Sequence, residues 1–171
     1  MPAAGARQSG GGQERPGEGG ELSRKGAEGL RKARQGVRFE RSIVREAWER
    51  GFFAIRGAGS GSGTSAYPKP DLLIFRPGGV VDVVQVKTTR RREVAFPPST
   101  WSDEIQAAQR LRALGFQART WLLLKLVRPG RSVKKLIRVD GHEEDTLRAF
   151  YDERMGVLRY GWRKRARSRG A

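Results

Sequence analysis

One short segment, residues 80–88 with the sequence VVDVVQVKT, limits the possible folds more than any other part of the chain. Side chains alternate between the two faces of a strand, so the odd-numbered positions, among them Gln85 and Lys87, share one face. Valines occupy both faces, which is typical of a strand covered by other elements on each side. The segment therefore predicts a central strand of an α/β fold.

Gln85 and Lys87 are polar residues in this otherwise apolar strand. Burying an amide and an ammonium group is costly unless each has a partner, and a metal ion, a phosphate or an acidic side chain would supply one. Glu40 and Asp71 interrupt other apolar segments in a similar way. Taken singly, Glu40 also fits a surface ion pair with Arg41, and Asp71 also fits a turn position, so the sequence alone leaves both alternatives open.

Periodicity and turn residues predict a single mixed β-sheet flanked by helices. The predicted helices are 37–50, a segment starting at Ser99 or Ser102 and ending at Gly115, and 143–151. The predicted strands are 52–56, 71–75, 80–88, 119–127 and 132–139. Residues 1–34 have few large apolar side chains and are expected to be a disordered basic arm. Residues 35–140 are expected to form the domain, and 141–171 a C-terminal helix and a basic tail.

The charge of the chain indicates a polyanionic partner. Lys and Arg number 35 against 18 Asp and Glu, which gives a net charge of +17. Such an excess is typical of proteins that bind nucleic acid, and the Arg90, Arg91 and Arg92 run is expected to contact phosphates. The sequence has neither an apolar run of membrane-spanning length nor an apolar N-terminal signal region, so we expect no membrane partner and a cytoplasmic, nucleoid-associated protein.

The sequence also limits which metals and cofactors the chain is expected to bind. There is no cysteine and there is one histidine, so a metal must be held mainly by oxygen ligands, which favours Mg²⁺, with Mn²⁺ as the alternative. The glycine- and serine-rich loop over 57–70 lacks the Gly-Lys-Ser/Thr ending of a phosphate-binding P-loop. No nucleotide cofactor is therefore expected.

The sequence resembles the PD-(D/E)xK nucleases at Pro70-Asp71, which is followed 14 residues later by Gln85-Val86-Lys87. The wider segments GVRFERSIV, GFFAIRGAGS, PKPDLLIF and VVQVKTT are similar, in order and spacing, to the archaeal Holliday junction resolvases of the Hjc/Hje type. The resemblance covers about residues 32–139. It implies a restriction-endonuclease-like fold and Mg²⁺-dependent nicking of four-way DNA junctions by a homodimer, in recombination and repair.

The resemblance also implies roles for individual residues. The family's metal ligands fall on Glu40, Asp71 and Gln85, and its transition-state lysine falls on Lys87. Its active-site loop serine falls on Ser60, with Ser62 as the second choice. Family arginines expected near the scissile DNA strand fall on Arg41 and Arg56.

The chain departs from the family pattern at Gln85, where the family has an acidic ligand. A glutamine oxygen can bind a cation but carries no charge, whereas Mg²⁺ sites usually depend on carboxylates. Asp82 is not an obvious substitute, because odd and even strand positions face opposite ways. Two alternatives to an active resolvase therefore stay open: a catalytically inactive paralogue that binds junctions, and a related PD-(D/E)xK nuclease acting on other branched DNA.

Overall fold

The computed structural model describes residues 19–57 and 67–164, and for 19–28 and Lys32 it describes the backbone alone. The chain divides into two compact units, Met1–Gln35 and Gly36–Ala171, and the sheets described below lie in the second. The helices are α1 (Gly19–Glu49) and α2 (Ser102–Ala113). The strands are β1 (Phe53–Arg56), β2 (Leu72–Arg76), β3 (Val80–Thr89), β4 (Glu93–Phe96), β5 (Gln117–Arg128), β6 (Arg131–Arg138), β7 (Thr146–Asp152) and β8 (Val157–Arg163).

The main sheet has five strands in the order β1-β2-β3-β5-β6. β3 and β5 are parallel and the other neighbours are antiparallel, so the predicted mixed sheet is confirmed. The β2–β3 hairpin turns through Pro77, Gly78 and Gly79, and both glycines have a positive φ, of 78° and 73°. Glycine adopts this conformation at low cost, so the local sequence specifies the turn that brings β2 against β3.

The two faces of β3 are covered by different helices. Val84 and Val86 pack with Phe39 of α1 on one face. Val81 and Val83 pack with Ala108 of α2 on the other. The alternation predicted from the valine-rich segment is thus present, and it places Gln85 and Lys87 on the same face of β3 as Val81 and Val83.

A second sheet of three strands, in the order β4-β7-β8, corrects the prediction for the C-terminal part of the chain. The helix predicted over 143–151 is wrong, because 146–152 forms β7, which pairs with both β4 and β8. Alternate side chains of β7, those of Leu147, Ala149 and Tyr151, are buried in the core with Leu122 and Leu124 of β5. Tertiary pairing and burial therefore override the local helix propensity of this segment.

The predicted basic tail over 154–171 is wrong for its first part, since Val157–Arg163 is β8. Leu158 is buried, and Trp162 packs edge-on against Trp101 with ring centroids 5.6 Å apart. Charge dominates the composition of this segment, and it conceals the alternation of Leu158, Tyr160 and Trp162 that marks a strand. Residues 165–171 lie outside the described residues.

The disordered arm predicted over 1–34 is likewise wrong from Gly19 onward, where α1 begins. Helical hydrogen bonds are local, so a segment rich in Glu, Leu, Lys, Arg and Ala can be helical without a large apolar surface. Residues 1–18 lie outside the described residues. None of the helices in the described part of the chain is long and apolar enough to cross a membrane.

Candidate active site

The β2–β3 hairpin brings the predicted site residues together. Leu72 lies opposite Val84, so Asp71, which directly precedes β2, comes next to Gln85 on β3. Lys87 follows two residues later on the same face. Glu40 of α1 completes a pocket of about 350 Å³ that all four of these side chains line. The structure thus assembles the four residues that the sequence marked as candidates for chemistry.

Asp71 is held firmly in this pocket. Its side chain is buried, and its Oδ2 accepts a hydrogen bond of 2.8 Å from the backbone N–H of Val86. The side-chain amide nitrogen of Gln85 donates to the same oxygen in a short contact. Burial raises the pKa of Asp71, the hydrogen bond from Val86 opposes that rise, and the nearby charges of Glu40 and Lys87 act in opposite directions on it. These electrostatic interactions are those expected of a cluster of interacting ionisable groups.

Glu40 is paired with Arg56 of β1. The Arg56 guanidinium donates to Glu40 Oε2 at 3.1 Å, and only 12% of the Glu40 side chain is exposed. The alternative of a surface pair between Glu40 and the neighbouring Arg41 is not what the structure shows, because Arg41 is exposed and Arg56 is the partner. Arg56, which the resemblance places near the DNA, is therefore also the residue that orients the Glu40 carboxylate.

Glu104, in the first turn of α2, is a site residue that the sequence reasoning missed. It is 1% exposed and lines the same pocket as Asp71. Its Oε1 accepts a hydrogen bond of 3.3 Å from the backbone N–H of Asp71. Its other oxygen, Oε2, is buried and has no hydrogen-bond partner among the described residues. Burial, together with the nearby charge of Asp71, raises the pKa of Glu104 to about 7.

A signal for Glu104 was present in the sequence. Ala108 and Leu111 follow it by four and seven residues, which is the spacing of one helix face, and both pack against β3. At the other end of α2, Leu114 is exposed although it is apolar, whereas Glu104 is buried although it is acidic. An acidic residue in a first helical turn is usually explained by the helix dipole, and that explanation concealed its burial.

The donor set of the pocket fits a hard divalent cation in part. Glu40, Asp71, Gln85 and Glu104 all offer oxygen atoms, which Mg²⁺ and Mn²⁺ prefer. Within residues 19–57 and 67–164, however, no three His, Cys, Asp or Glu side chains are close enough together to form a metal site. The unpartnered Oε2 of Glu104 is the observation that favours a cation, because buried carboxylate oxygens are rarely left without a partner.

Asp82 takes no part in the pocket. It is buried on the α1 face of β3, where its Oδ1 accepts a hydrogen bond of 2.8 Å from the Trp121 indole and its Oδ2 is bound by Arg76. The expectation that Asp82 cannot replace Gln85 is therefore confirmed, since the two side chains lie on opposite faces of β3.

The remaining predicted DNA-binding residues lie outside the pocket or outside the described residues. Arg90, Arg91 and Arg92 are exposed in the connection between β3 and β4, and the Arg92 guanidinium lies 3.9 Å from Glu153. Ser60 and Ser62 fall in residues 58–66, outside the described residues. Their roles stay predictions.

Comparison with known proteins shows the family of the chain. Residues 31–148 match the family model described as archaeal Holliday junction resolvase (Hjc). The chain belongs to this family. The match includes α2 and all five strands of the main sheet, and it includes every residue of the pocket.

A relative and a solved structure, both named Hjc, come from the same archaeon. The crossover junction endodeoxyribonuclease Hjc of Archaeoglobus fulgidus is 36% identical over 90 residues, which are 53% of this chain and 60% of that protein. The chain thus matches less than two thirds of the length of this relative. The 1.6 Å structure of A. fulgidus Hjc, a Holliday junction resolvase from an archaeal hyperthermophile, shares 30% identity, covers 61% of this chain and 78% of that one, and has a TM-score of 0.44.

Proposed function

We propose that this member of the archaeal resolvase family is a structure-selective endonuclease that nicks four-way DNA junctions by Mg²⁺-dependent hydrolysis, in recombination and repair. The observation that carries the proposal is the convergence of Glu40, Asp71, Gln85 and Lys87 on one pocket. These residues come from α1, the start of β2 and the middle of β3, so only the folded chain brings them together. The name and activity of the A. fulgidus relative support the same assignment.

The residues of the pocket have separable roles in such a reaction. Glu40, Asp71 and Gln85 would hold Mg²⁺, or Mn²⁺ in its place, through their side-chain oxygens. The cation supplies charge neutralisation and Lewis acidity to the phosphate. The Lys87 ammonium, half-buried beside Asp71, stabilises the negative charge that develops on the phosphate oxygens when water attacks phosphorus and one P–O bond breaks.

The charge distribution supports binding to the DNA backbone. The net charge of +17 favours phosphate contacts without sequence selection. The exposed Arg90, Arg91 and Arg92 directly follow the strand that carries Gln85 and Lys87, which supports a role in holding the backbone next to the pocket. Arg41 is exposed one residue after Glu40 and would serve the same purpose. Ser60, the proposed active-site serine, and Ser62, a proposed DNA contact, lie outside the described residues.

A homodimer is part of the proposal. A two-fold dimer carries two equivalent pockets, which suits the near two-fold symmetry of a four-way junction. Exposed apolar side chains along the edge strand β1 support such an assembly. Phe53 is 50% exposed and packs edge-on against the half-exposed Trp48, with ring centroids 5.2 Å apart. Large exposed apolar groups of this kind are typical of a surface that another chain covers.

The second candidate function is junction binding without cleavage, and the chemistry of Gln85 favours it. The side chain is neutral, and it turns its amide nitrogen, a hydrogen-bond donor, toward Asp71. As placed, this group stabilises the Asp71 carboxylate through a hydrogen bond and offers no oxygen in that direction. A nuclease for flaps or linear duplexes is a third reading of the same pocket.

One assay separates the three functions. A labelled four-way junction, a flap and a linear duplex of matched length are incubated with the protein over Mg²⁺ and Mn²⁺ titrations. We expect paired nicks in the junction and little cutting of the other two substrates. An intact junction with wild type, together with cutting by Gln85→Glu, would establish the binding protein, and equal rates on all three substrates would establish the broader nuclease.

A further inference from the structure

The strongest unexplained feature of the pocket is the buried carboxylate of Glu104. One of its oxygens accepts from the backbone of Asp71, and the other has no partner within the described residues. A buried carboxylate oxygen without a partner is costly, because it loses its hydration and gains nothing in return. The side chain lies in the pocket that Asp71, Gln85 and Lys87 line, so a ligand in that pocket is the nearest source of a partner.

The pocket also lacks a carboxylate at position 85, because Gln85 is neutral where the family has an acidic ligand. Gln85 supplies no carboxylate, and its amide nitrogen donates to Asp71. To offer its oxygen in that direction the amide would have to turn over, which would break this hydrogen bond. Glu104 approaches Asp71 from α2, on the face of β3 that carries Gln85, and its free oxygen needs no such rearrangement.

We propose that Glu104 provides the acidic ligand to a divalent cation that Gln85 cannot provide. The ligand class is a hard cation of the Mg²⁺ or Mn²⁺ type, bound between the Asp71 carboxylate and Glu104 Oε2. This inference rests on the proposed metal-dependent function. It assigns a chemical role to a residue in α2, which neither the PD-(D/E)xK signature nor its spacing marks.

A purely positioning role is the competing explanation, and the structure offers a matched control for it. Asp103, the neighbour of Glu104 in α2, accepts a hydrogen bond of 3.3 Å from the backbone N–H of Lys69. Both residues therefore tie the segment before β2 to the first turn of α2. Only Glu104 of the two has a buried oxygen without a partner among the described residues, so Asp103→Asn removes a neighbouring negative charge without removing the proposed ligand. Both Asp103→Asn and Glu104→Gln keep a side-chain oxygen that can accept from the backbone, so they differ in the proposed ligand and not in these ties.

The test is calorimetric titration of Mn²⁺ into the full chain without DNA. Five proteins are compared: wild type, Glu104→Gln, Asp103→Asn, Gln85→Glu and the double variant Glu104→Gln/Gln85→Glu. We expect Glu104→Gln to weaken Mn²⁺ binding by about tenfold or more, and Asp103→Asn to stay within about threefold of wild type. Restoring a carboxylate at position 85 in the double variant should return the affinity to near the wild-type value.

Rescue distinguishes the ligand from the positioning residue. If Glu104 only positioned Asp71, a carboxylate at position 85 would leave that defect in place and the double variant would bind as weakly as Glu104→Gln. That result would overturn the proposal, as would wild-type affinity in Glu104→Gln or the absence of Mn²⁺ binding by wild type. Thermal unfolding in EDTA verifies that each variant is folded before it is titrated.

Junction cleavage by the same proteins keeps this inference separate from the proposed function. Tight Mn²⁺ binding that depends on Glu104, in a protein that leaves junctions intact, supports the ligand assignment and refutes the nuclease. Junction cleavage by wild type with unchanged Mn²⁺ affinity in Glu104→Gln refutes the ligand assignment and supports the nuclease.

Discussion

Acidic side chains are buried on both faces of β3, and their environments differ. On the α1 face, Asp82 is 2% exposed and both of its oxygens are bound, one by the Trp121 indole and one by Arg76. On the α2 face, Asp71 and Glu104 lie beside a pocket, and Glu104 has an oxygen with no partner among the described residues. The same strand therefore supports one acidic group that is fully satisfied and one cluster that is not.

This difference distinguishes a carboxylate that is buried as part of the packed core from one that is buried at a binding site. A buried carboxylate whose hydrogen bonds are complete needs no further ligand and mainly fixes the packing around it. A buried carboxylate that stays incomplete, with a raised pKa and an adjacent pocket, stores unfavourable electrostatic energy that a cation can relieve. On this comparison, substitutions on the α1 face should change stability, whereas substitutions on the α2 face should change metal binding and cleavage.

The largest effect on the α2 face is expected from Lys87→Ala. Removal of the ammonium should reduce the cleavage rate at saturating junction by about 100-fold or more, because the developing phosphate charge loses its stabilising partner. Single-turnover kinetics with a labelled junction measures this rate, and gel-shift titration measures junction binding, which should change far less.

Lys135→Ala is the matched control, since it removes the same charge from an exposed position on β6 that lies outside the pocket. Its cleavage rate should stay within about threefold of wild type. An equal loss of rate in both variants would mean that Lys87 acts only through the overall charge of the protein. The assignment of cleavage chemistry to the α2 face of β3 would then be wrong.

The next largest effect belongs to the α1 face. Asp82→Ala leaves the Trp121 indole and the Arg76 guanidinium without their acceptor, and we expect a loss of about 2–3 kcal/mol in the free energy of unfolding. Urea unfolding followed by tryptophan fluorescence measures it. Cleavage per folded molecule should be unchanged, and a large loss of cleavage at full occupancy of the folded state would argue against a purely structural Asp82.

The sequence predicts contacts between residues that are close along the chain better than contacts between residues that are far apart. The β2–β3 hairpin is predictable because Pro77, Gly78 and Gly79 specify its turn locally, and the alternation of β3 then places Gln85 and Lys87 on one face. The contact of Asp71 with Gln85 follows from that hairpin. Glu40 is a polar residue in an apolar segment, but only the resemblance assigns it to the same site.

What the sequence does not predict depends on contacts between distant segments. Glu104 contacts the backbone of Asp71, 33 residues earlier, and the helical spacing of α2 indicates which face is buried but not that this face meets Asp71. In the same way, β7 becomes a strand because it pairs with β4, whose residues lie more than 50 positions earlier in the chain. The β4 segment, Glu93–Phe96, is itself too short to be predicted as a strand. Tertiary partners decide both outcomes.

The smallest effect, expressed per pH unit, is a pH dependence of stability on the α2 face. Burial raises the pKa of Glu104 from 4.5 to about 7, so the folded chain binds this proton more tightly than the unfolded chain does. Its stabilising contribution is fully present below about pH 4.5 and is lost as the pH rises through about 7. In EDTA, the free energy of unfolding should therefore fall over this range, by up to about 1.4 kcal/mol per pH unit for one proton.

Glu104→Gln should remove most of this fall, because an amide does not titrate, while Asp103→Asn should keep it. Asp71, whose pKa burial also raises, accounts for the part that remains. Urea unfolding at intervals between about pH 5 and pH 8 provides the profile. Mn²⁺ added near pH 8 should raise the free energy of unfolding of wild type much more than that of Glu104→Gln. A ligand that binds only the folded state stabilises it more when it binds more tightly. Identical pH profiles for wild type and Glu104→Gln would mean that Glu104 is not the titrating group. The proposed difference between Glu104 and the fully hydrogen-bonded Asp82 would then be wrong.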